Sequence, residues 1–331
     1  MSTYNTPPYT ITPQIVALVE KIAAKITKLE INKSLDTHPR LRRINRIKSI
    51  HASLKIEANS LSFNQVKDVL AGNLVLGPQN EIQEVKNAYK AYEQLDSINP
   101  YSLKDLLNAH GILTKYLLAE SGAFRKGEEG VFSGNRCIFM APPARFVPSL
   151  MEQLFNWMQK VQSSLHPLLL SAIFHYEFVF IHPFADGNGR LARLWHTAIL
   201  MQWQPLFAYI PLESQIEKFQ QGYYDAIAHC HAEGNSTCFI EFILQQIDNI
   251  LDEVTEQSKA SALILDEKVQ KLLAVMEPEI PYAATALMEK LHLKSRLSFR
   301  AHYLQPALEL QLIKMIIPEK PTSRNQRYVK I

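Results

Sequence analysis

One segment limits the fold more than any other. Pro167–Ile181, PLLLSAIFHYEFVFI, is apolar nearly all round a helix. A helix with no polar face has to be enclosed by other elements, which makes it the centre of a bundle. The rest of the chain supplies the enclosure. Apolar residues recur at helical spacing in Gln14–Ile31 and in Pro39–Leu61, a basic amphipathic stretch with a proline near its start. They recur again in EIQEVKNAYKAYEQLDSI and SLKDLLNAHGILTKYLL, which the Asn99-Pro100 break separates. Further helices are predicted in SLMEQLFNWMQKVQ, LARLWHTAILMQW, EKFQQGYYDAIAHCHA and STCFIEFILQQIDNILDEVTEQ. The fold class is therefore mainly α.

With 331 residues there is room for about two or three domains. The hydrophobic share of 47% and charged share of 20% belong to a folded globular chain, not a disordered one. A net charge of +3 is too mild to argue for a polyanionic partner. Three cysteines, Cys137, Cys230 and Cys238, make no disulfide framework and fit a reducing cytoplasm. No signal peptide is evident, and no apolar run reaches the roughly 18 residues of a membrane span.

Two regions depart from the helical pattern. Ser121–Pro148 is broken by glycines and prolines around a short apolar run at Cys137–Met140, which reads as a β-hairpin or extended flap. A seam is expected around Ser258–Ser261. Beyond it come three helical segments and then KMIIPEKPTSRNQRYVKI, read as two short strands joined by a basic loop. That order is winged-helix-like. The expected divisions are a helical region over 1–100, a central domain over 101–257 and the winged-helix-like unit over 262–331.

The central helix ends at His182-Pro183, because the residue before a proline is pushed out of the α region. The text that follows, HPFADGNGRLAR from His182 to Arg193, carries the chemistry. A Gly-Asn-Gly turn leading into a helix presents consecutive backbone N–H groups, an anion site. Gly187 and Gly189 let the backbone approach a ligand, and Asn188 adds an amide. Arg190 and Arg193 share a helix face and can hold two further phosphates. Asp186 is a hard oxygen ligand suited to Mg²⁺ arriving with a nucleotide. Phe184 is expected in the core. His182, with an ordinary imidazole pKa of about 6.5, can take a proton from a hydroxyl. The inventory suits in-line attack of a hydroxyl on a nucleotide phosphorus.

The same string resembles the signature of the Fic family, His-x-Phe-x-Asp/Glu-Gly-Asn-Gly-Arg-x-x-Arg, at every fixed position. SGAFR, PPARFVPSLMEQLFNWM and FHYEFVFIHPF also resemble Fic-domain text, and the likeness runs from about Pro39 to Asp252. It implies an all-α Fic fold and transfer of AMP from ATP to a Ser, Thr or Tyr hydroxyl of a protein. By the resemblance His182 is the general base and Asp186 the Mg²⁺ ligand. Gly187, Asn188 and Gly189 form the nest, with Arg190 and Arg193 on the outer phosphates. The phosphorylating branch of the family departs from the signature at the acidic position and the first arginine; this chain does not.

SLKIEANS, Ser53–Ser60, places Ser53 and Glu57 on one helix face at i, i+4. It resembles the Fic inhibitory motif Ser/Thr-x-x-x-Glu-Gly/Asn, which implies a carboxylate pairing with Arg193 where the γ-phosphate would bind. Ala58 stands where the motif has Gly or Asn, and Ala favours continued helix. In some relatives that glutamate also serves removal of AMP. Ile138, Phe139 and Met140 resemble the flap on which a target segment adds as a strand. Tyr223 and Tyr224 resemble a pair touching adenine or ribose, with core packing as the alternative; the asparagine expected after them is replaced by the His231-Ala232 region. HCHAEGNSTC fits no common zinc spacing, and His175 reads as a satisfied core histidine. The partners implied are a target protein and a second copy of the chain, with no membrane. DNA could meet the C-terminal unit through Arg296, Arg300 and Lys320–Arg327, although Glu277, Glu279, Glu289 and Glu309 dilute that field. The rival function is a DNA-binding regulator whose Fic domain senses nucleotide; a third is transfer of another phosphate-linked group.

Overall fold

A computed structural model of the chain describes residues 6–31, 39–133, 136–264, 267–310, 312–321 and 323–331. It divides into two compact units, residues 1–26 with 45–252, and residues 27–44 with 253–331. The first is a helical bundle: α1 (Pro13–Ile31), α2 (Pro39–Ile56), α3 (Phe63–Leu70), α4 (Gln79–Glu93), α5 (Leu103–Leu113), α6 (Val147–Val161), α7 (Pro167–Ile181), α8 (Asn188–Trp203), α9 (Leu212–Lys218), α10 (Gln220–Glu233) and α11 (Thr237–Ile264). Helices α1, α2 and α11 each run across a unit boundary. Residues 27–44, expected within the N-terminal region, thus group with the C-terminal unit, and α11 continues unbroken through the expected seam.

Helix α7 is the all-apolar segment, and it is buried from Leu168 to Phe178. Helix α8 is buried from Arg190 to Leu200 and packs against α7. Phe174, Phe178, Phe184 and Trp195 all lie at 0% exposure along this pair. The loop 182–187 is therefore the corner between two central helices, and its backbone is fixed from both sides. The N-terminal segment is anchored to α11: Ser236 N–H donates to the Pro8 carbonyl at 2.9 Å, and Lys21 pairs with Asp248 at 2.8 Å.

Between α5 and α6, strands β1 (Gly130–Ser133) and β2 (Arg136–Met140) form an antiparallel hairpin in the register Gly130↔Met140 and Val131↔Phe139, with a bulge before Phe132↔Cys137. The C-terminal unit contains α12 (Glu267–Ala274), α13 (Ala284–Lys290), α14 (Arg296–Phe299) and α15 (Gln305–Glu309), followed by antiparallel β3 (Ile313–Met315) and β4 (Tyr328–Lys330). Val269, Leu272, Leu287, Phe299, Leu304 and Ile313 form its core. Helices α14 and α15 are joined by a π turn over Arg300–Leu304. Pro306 lies just after that turn; having no N–H, it cannot complete a regular α ladder.

The N-terminal helices correct the sequence reading in detail. Helix α2 stops at Ile56 rather than near 61. Asn59 N–H donates to the Leu54 carbonyl and Ala58 N–H to Lys55, the pairing of a Schellman end. This requires a left-handed residue, and Ala58 supplies it at φ 65°. Helix α3 was not expected, although Ser62 and Gln65 close a capping box at its start. A left-handed conformation costs an L-residue about 1–2 kcal/mol, of which glycine's extra freedom when unfolded cancels about half. Ala58→Gly is therefore expected to stabilise the chain by roughly 0.5–1 kcal/mol. A denaturant titration checks this, and an unchanged or lower midpoint contradicts the strained cap.

Candidate active site

The corner loop is built from inside. Asn188 donates from Nδ2 to the Phe184 carbonyl (2.7 Å) and accepts the Phe184 N–H on Oδ1 (3.0 Å). Its amide thus closes the loop on itself and is 3% exposed, rather than standing ready as a ligand donor. Phe184 is in the core as expected, stacked on His110 with ring centres 3.7 Å apart. His110 accepts Gly122 N–H on Nδ1 at 2.9 Å, which leaves Nε2 to donate to the Asp186 carbonyl at 3.0 Å. Burial lowers the pKa of His110, consistent with that neutral tautomer. Gly187 has φ 81°, and a Cβ there would press on Thr114 and His110.

His182 caps α7 in a left-handed conformation, φ 50°. Arg125, 3% exposed, fixes it from behind: its Nε donates to the His182 carbonyl at 2.7 Å, and its Nη2 donates to Pro142 at 2.6 Å, at the base of the hairpin. Burial lowers the His182 pKa and outweighs the hydrogen bond to Val179 and the charges of Glu129 and Glu57, which raise it; Arg125 lowers it further. The imidazole is therefore neutral at neutral pH and able to accept a proton.

The first turn of α8 offers backbone N–H groups that have no partner within the helix. Gly187 N–H is already taken by its neighbour, donating to Asp186 Oδ1 at 2.6 Å. The Glu57 carboxylate lies over this turn: a Cβ on Gly189 would overlap it. Glu57 also accepts from Arg193 Nη2 at 2.8 Å. The Arg193 guanidinium is held on its other edges by Ser53, through Nε to Oγ (3.0 Å) and Nη2 to the backbone carbonyl (2.9 Å). Ser53, in the last turn of α2, and Glu57, just past its end, thus grip a single arginine.

Arg190 is placed differently from Arg193. Its Nη1 donates to Glu84 at 2.8 Å and its Nη2 to Asp186 Oδ2 at 2.9 Å. It is absent from the lining of the central cavity, which has a volume of about 830 Å³. That cavity is walled by Glu57, His182, Gly189 and Arg193 on one side, and by Phe139, Met140, Tyr223, Tyr224 and His231 on the other. Asp186 is mostly exposed and, like Arg190, is not among the residues lining the cavity.

The remaining expectations fall as follows. Phe139 stacks on His231 (4.0 Å) and Met140 is exposed, both at the cavity wall; the side chain of Ile138 lies outside the described residues. Tyr223 is buried with its hydroxyl 2.9 Å from His175 Nε2, while Tyr224 is half exposed. His175 is only half satisfied, since its buried Nδ1 finds no partner among the described residues. His231 Nδ1 meets the Tyr176 hydroxyl at 3.1 Å, and burial lowers its pKa to about 4. Sequence reasoning missed Glu84, His110 and Arg125. A histidine inside NAHGIL and a glutamate on an amphipathic helix carry no local signal of their partners, while Arg125 was noticed only as part of SGAFR.

Comparison with known proteins agrees with this architecture. The profile of the Fic/DOC family matches residues 100–200, and that of the Fic-like C-terminal domain ("Filamentation induced by cAMP protein Fic-like") matches residues 267–329. "Protein adenylyltransferase Fic" of Aedes aegypti is 30% identical over 230 residues, 66% of this chain and 44% of the relative. The Drosophila virilis protein of the same name is 28% identical over 291 residues, 83% of this chain and 57% of the relative. The chain thus spans about half the length of these curated relatives. The crystal structure of a Fic family protein from Desulfovibrio desulfuricans G20 superimposes with a TM-score of 0.74 at 42% identity, covering 98% of each chain. A likeness of that extent, over both the helical bundle and the C-terminal unit, shows that the chain belongs to the Fic family.

Proposed function

We propose that this chain transfers AMP from MgATP to a Ser, Thr or Tyr hydroxyl of a target protein, and that Glu57 restrains the reaction. One observation carries the reading: a neutral histidine, the first turn of a helix and a buried arginine line one cavity, with a carboxylate lying where an anionic ligand would bind. About 830 Å³ falls within the range of small-molecule and cofactor sites. The names of the curated relatives support the same chemistry.

In this mechanism His182 accepts the proton of the target hydroxyl as its oxygen attacks the α-phosphorus. The bond from the α-phosphorus to the bridging oxygen breaks, and pyrophosphate leaves. The α8 N-terminus and Arg193 stabilise the charge on the phosphates. Phe139 and Met140 border the cavity where the target segment adds along β2. Tyr223 and Tyr224 on α10 border it where the nucleoside is accommodated. Among the described residues no cluster of three metal-ligating side chains exists. A single exposed carboxylate nevertheless fits Mg²⁺, which commonly takes one or two protein carboxylates together with substrate phosphates. Asp186 would hold the ion, which would supply neutralisation of phosphate charge.

Glu57 competes with phosphate for both Arg193 and the helix N-terminus. It is also the group that would aim water at an AMP ester in the reverse reaction. The order of the C-terminal unit, helices followed by the β3–β4 hairpin, supports its winged-helix-like reading. No described helix is long and apolar enough to cross a membrane.

ATP labelled at the α or the γ phosphate tests the proposal. Label from α alone is expected on protein, increased at least tenfold by Glu57→Gly and abolished by His182→Ala, in keeping with the roughly 10²–10⁴ contributed by a general base. Label from γ would overturn AMP transfer, and no gain from Glu57→Gly would overturn the restraint. The base must be unprotonated, so the acid limb of kcat/KM in the Glu57→Gly variant is expected below the ordinary imidazole value of about 6.5. Loss of Glu57 removes one influence that raises the His182 pKa, which moves the limb in the same direction. A limb at or above the ordinary value argues against His182 as the base.

A further inference from the structure

The position of Arg190 poses a separate question. It is 4% exposed, does not line the cavity and is held between two carboxylates on different elements, Glu84 of α4 and Asp186 of the corner loop. Glu84 reaches it with Oε1, while its Oε2 accepts from Asn59 Nδ2 at 2.8 Å. Asn59 in turn accepts Leu61 N–H, directly after the Schellman end of α2. Glu84 is thus fixed at both oxygens and is mostly buried.

The charges decide what this chain of contacts does. Asp186 and Arg190 alone would form a neutral pair, and a neutral pair attracts a divalent cation weakly. With Glu84 included, one cation lies between two anions and the group keeps net negative charge. Arg190 is also shared, so its hold on Asp186 Oδ2 is diluted by a competing acceptor. A guanidinium has five N–H donors and tolerates such sharing without losing its place.

We propose that Glu84 is a positioning residue for Asp186: acting through Arg190, it keeps the Asp186 carboxylate oriented and negative enough to take a divalent cation. Arg190 then serves as the bridge between the two carboxylates rather than as a ligand of the outer phosphates. Through Asn59 the same carboxylate is tied to the end of the helix that carries Glu57, so the cation site and the restraint share one support. The inference rests on the reading that Asp186 is the cation ligand.

The test uses the full chain and ADP, which lacks the γ-phosphate that Glu57 would oppose. Affinity for ADP is measured by calorimetry in EDTA and again in saturating Mn²⁺, and the ratio reports the help given by the metal. Glu84→Gln keeps the shape and can still accept from Arg190. It is expected to lower that ratio several-fold, leaving metal-free affinity unchanged or tighter, because a negative charge has been removed near both ligands. Glu84→Ala is expected to follow Glu84→Gln, and Glu84→Asp to restore most of the ratio. Disruption of structure alone would weaken both measurements together.

If Glu84→Gln and Glu84→Ala leave the ratio unchanged while Asp186→Asn abolishes it, the proposal fails and the Asp186 reading stands. If metal-free affinity falls in the Glu84 variants, Glu84 supports the structure or the phosphate contacts rather than the cation site, and the proposal is overturned. If Asp186→Asn keeps the wild-type ratio, the cation-ligand reading itself is what failed.

Discussion

Arg193 is a full positive charge at 2% exposure, and the site depends on how that charge is satisfied. Burial by itself would lower its pKa, yet the surrounding Glu57, Tyr223 and Tyr92 raise it above its usual value. A buried cation is tolerated only when hydrogen-bonded and paired. Two of the partners, Ser53 Oγ and its backbone carbonyl, lie in the last turn of α2, and the third, Glu57, directly follows that helix. The requirement to satisfy Arg193 therefore docks the end of α2 against α8. Ser53 is buried, whereas the Glu57 side chain is 34% exposed. Ser53 thus holds the guanidinium from the buried side, and Glu57 supplies the paired charge from the more exposed one.

The corner between α7 and α8 shows the opposite property, rigidity. His110 stacks on Phe184 and donates to the Asp186 carbonyl, Asn188 closes the loop from within, and Arg125 ties the His182 carbonyl to the base of the hairpin. None of these groups needs to touch a substrate to matter. They fix the backbone of His182 and Asp186, and on the proposed function positioning of this kind is where much of a catalytic advantage would come from. The half-exposed Glu57 thus sits beside buried contacts that hold the corner.

Much of this was legible along the chain. The all-apolar Pro167–Ile181 could only be a central helix, and His182-Pro183 could only end it. The spacing of the glycines marked the turn that starts α8. Local rules failed where a backbone preference was overridden. Ala58 favours helix, but the Schellman end demanded a left-handed residue, and α2 stopped at Ile56. Arg190 and Arg193 look equivalent at i, i+3, yet one turns to the cavity and the other to Glu84 and Asp186. Asn188 looks like a free donor in a turn, but its amide is engaged within the loop.

By itself the sequence determined the helical class, the central helix, the corner and the kinds of groups gathered there. These follow from periodicity and from turn chemistry, which act between residues close in the chain. The pairing of Glu57 with Arg193 across 136 positions was implied only by the family resemblance, and the tertiary structure alone decided the others: Glu84 with Arg190 across 106, Arg125 with the His182 carbonyl across 57. Such pairings depend on which helix faces pack together. Buried charges then select their partners from whatever the packing brings within hydrogen-bond reach.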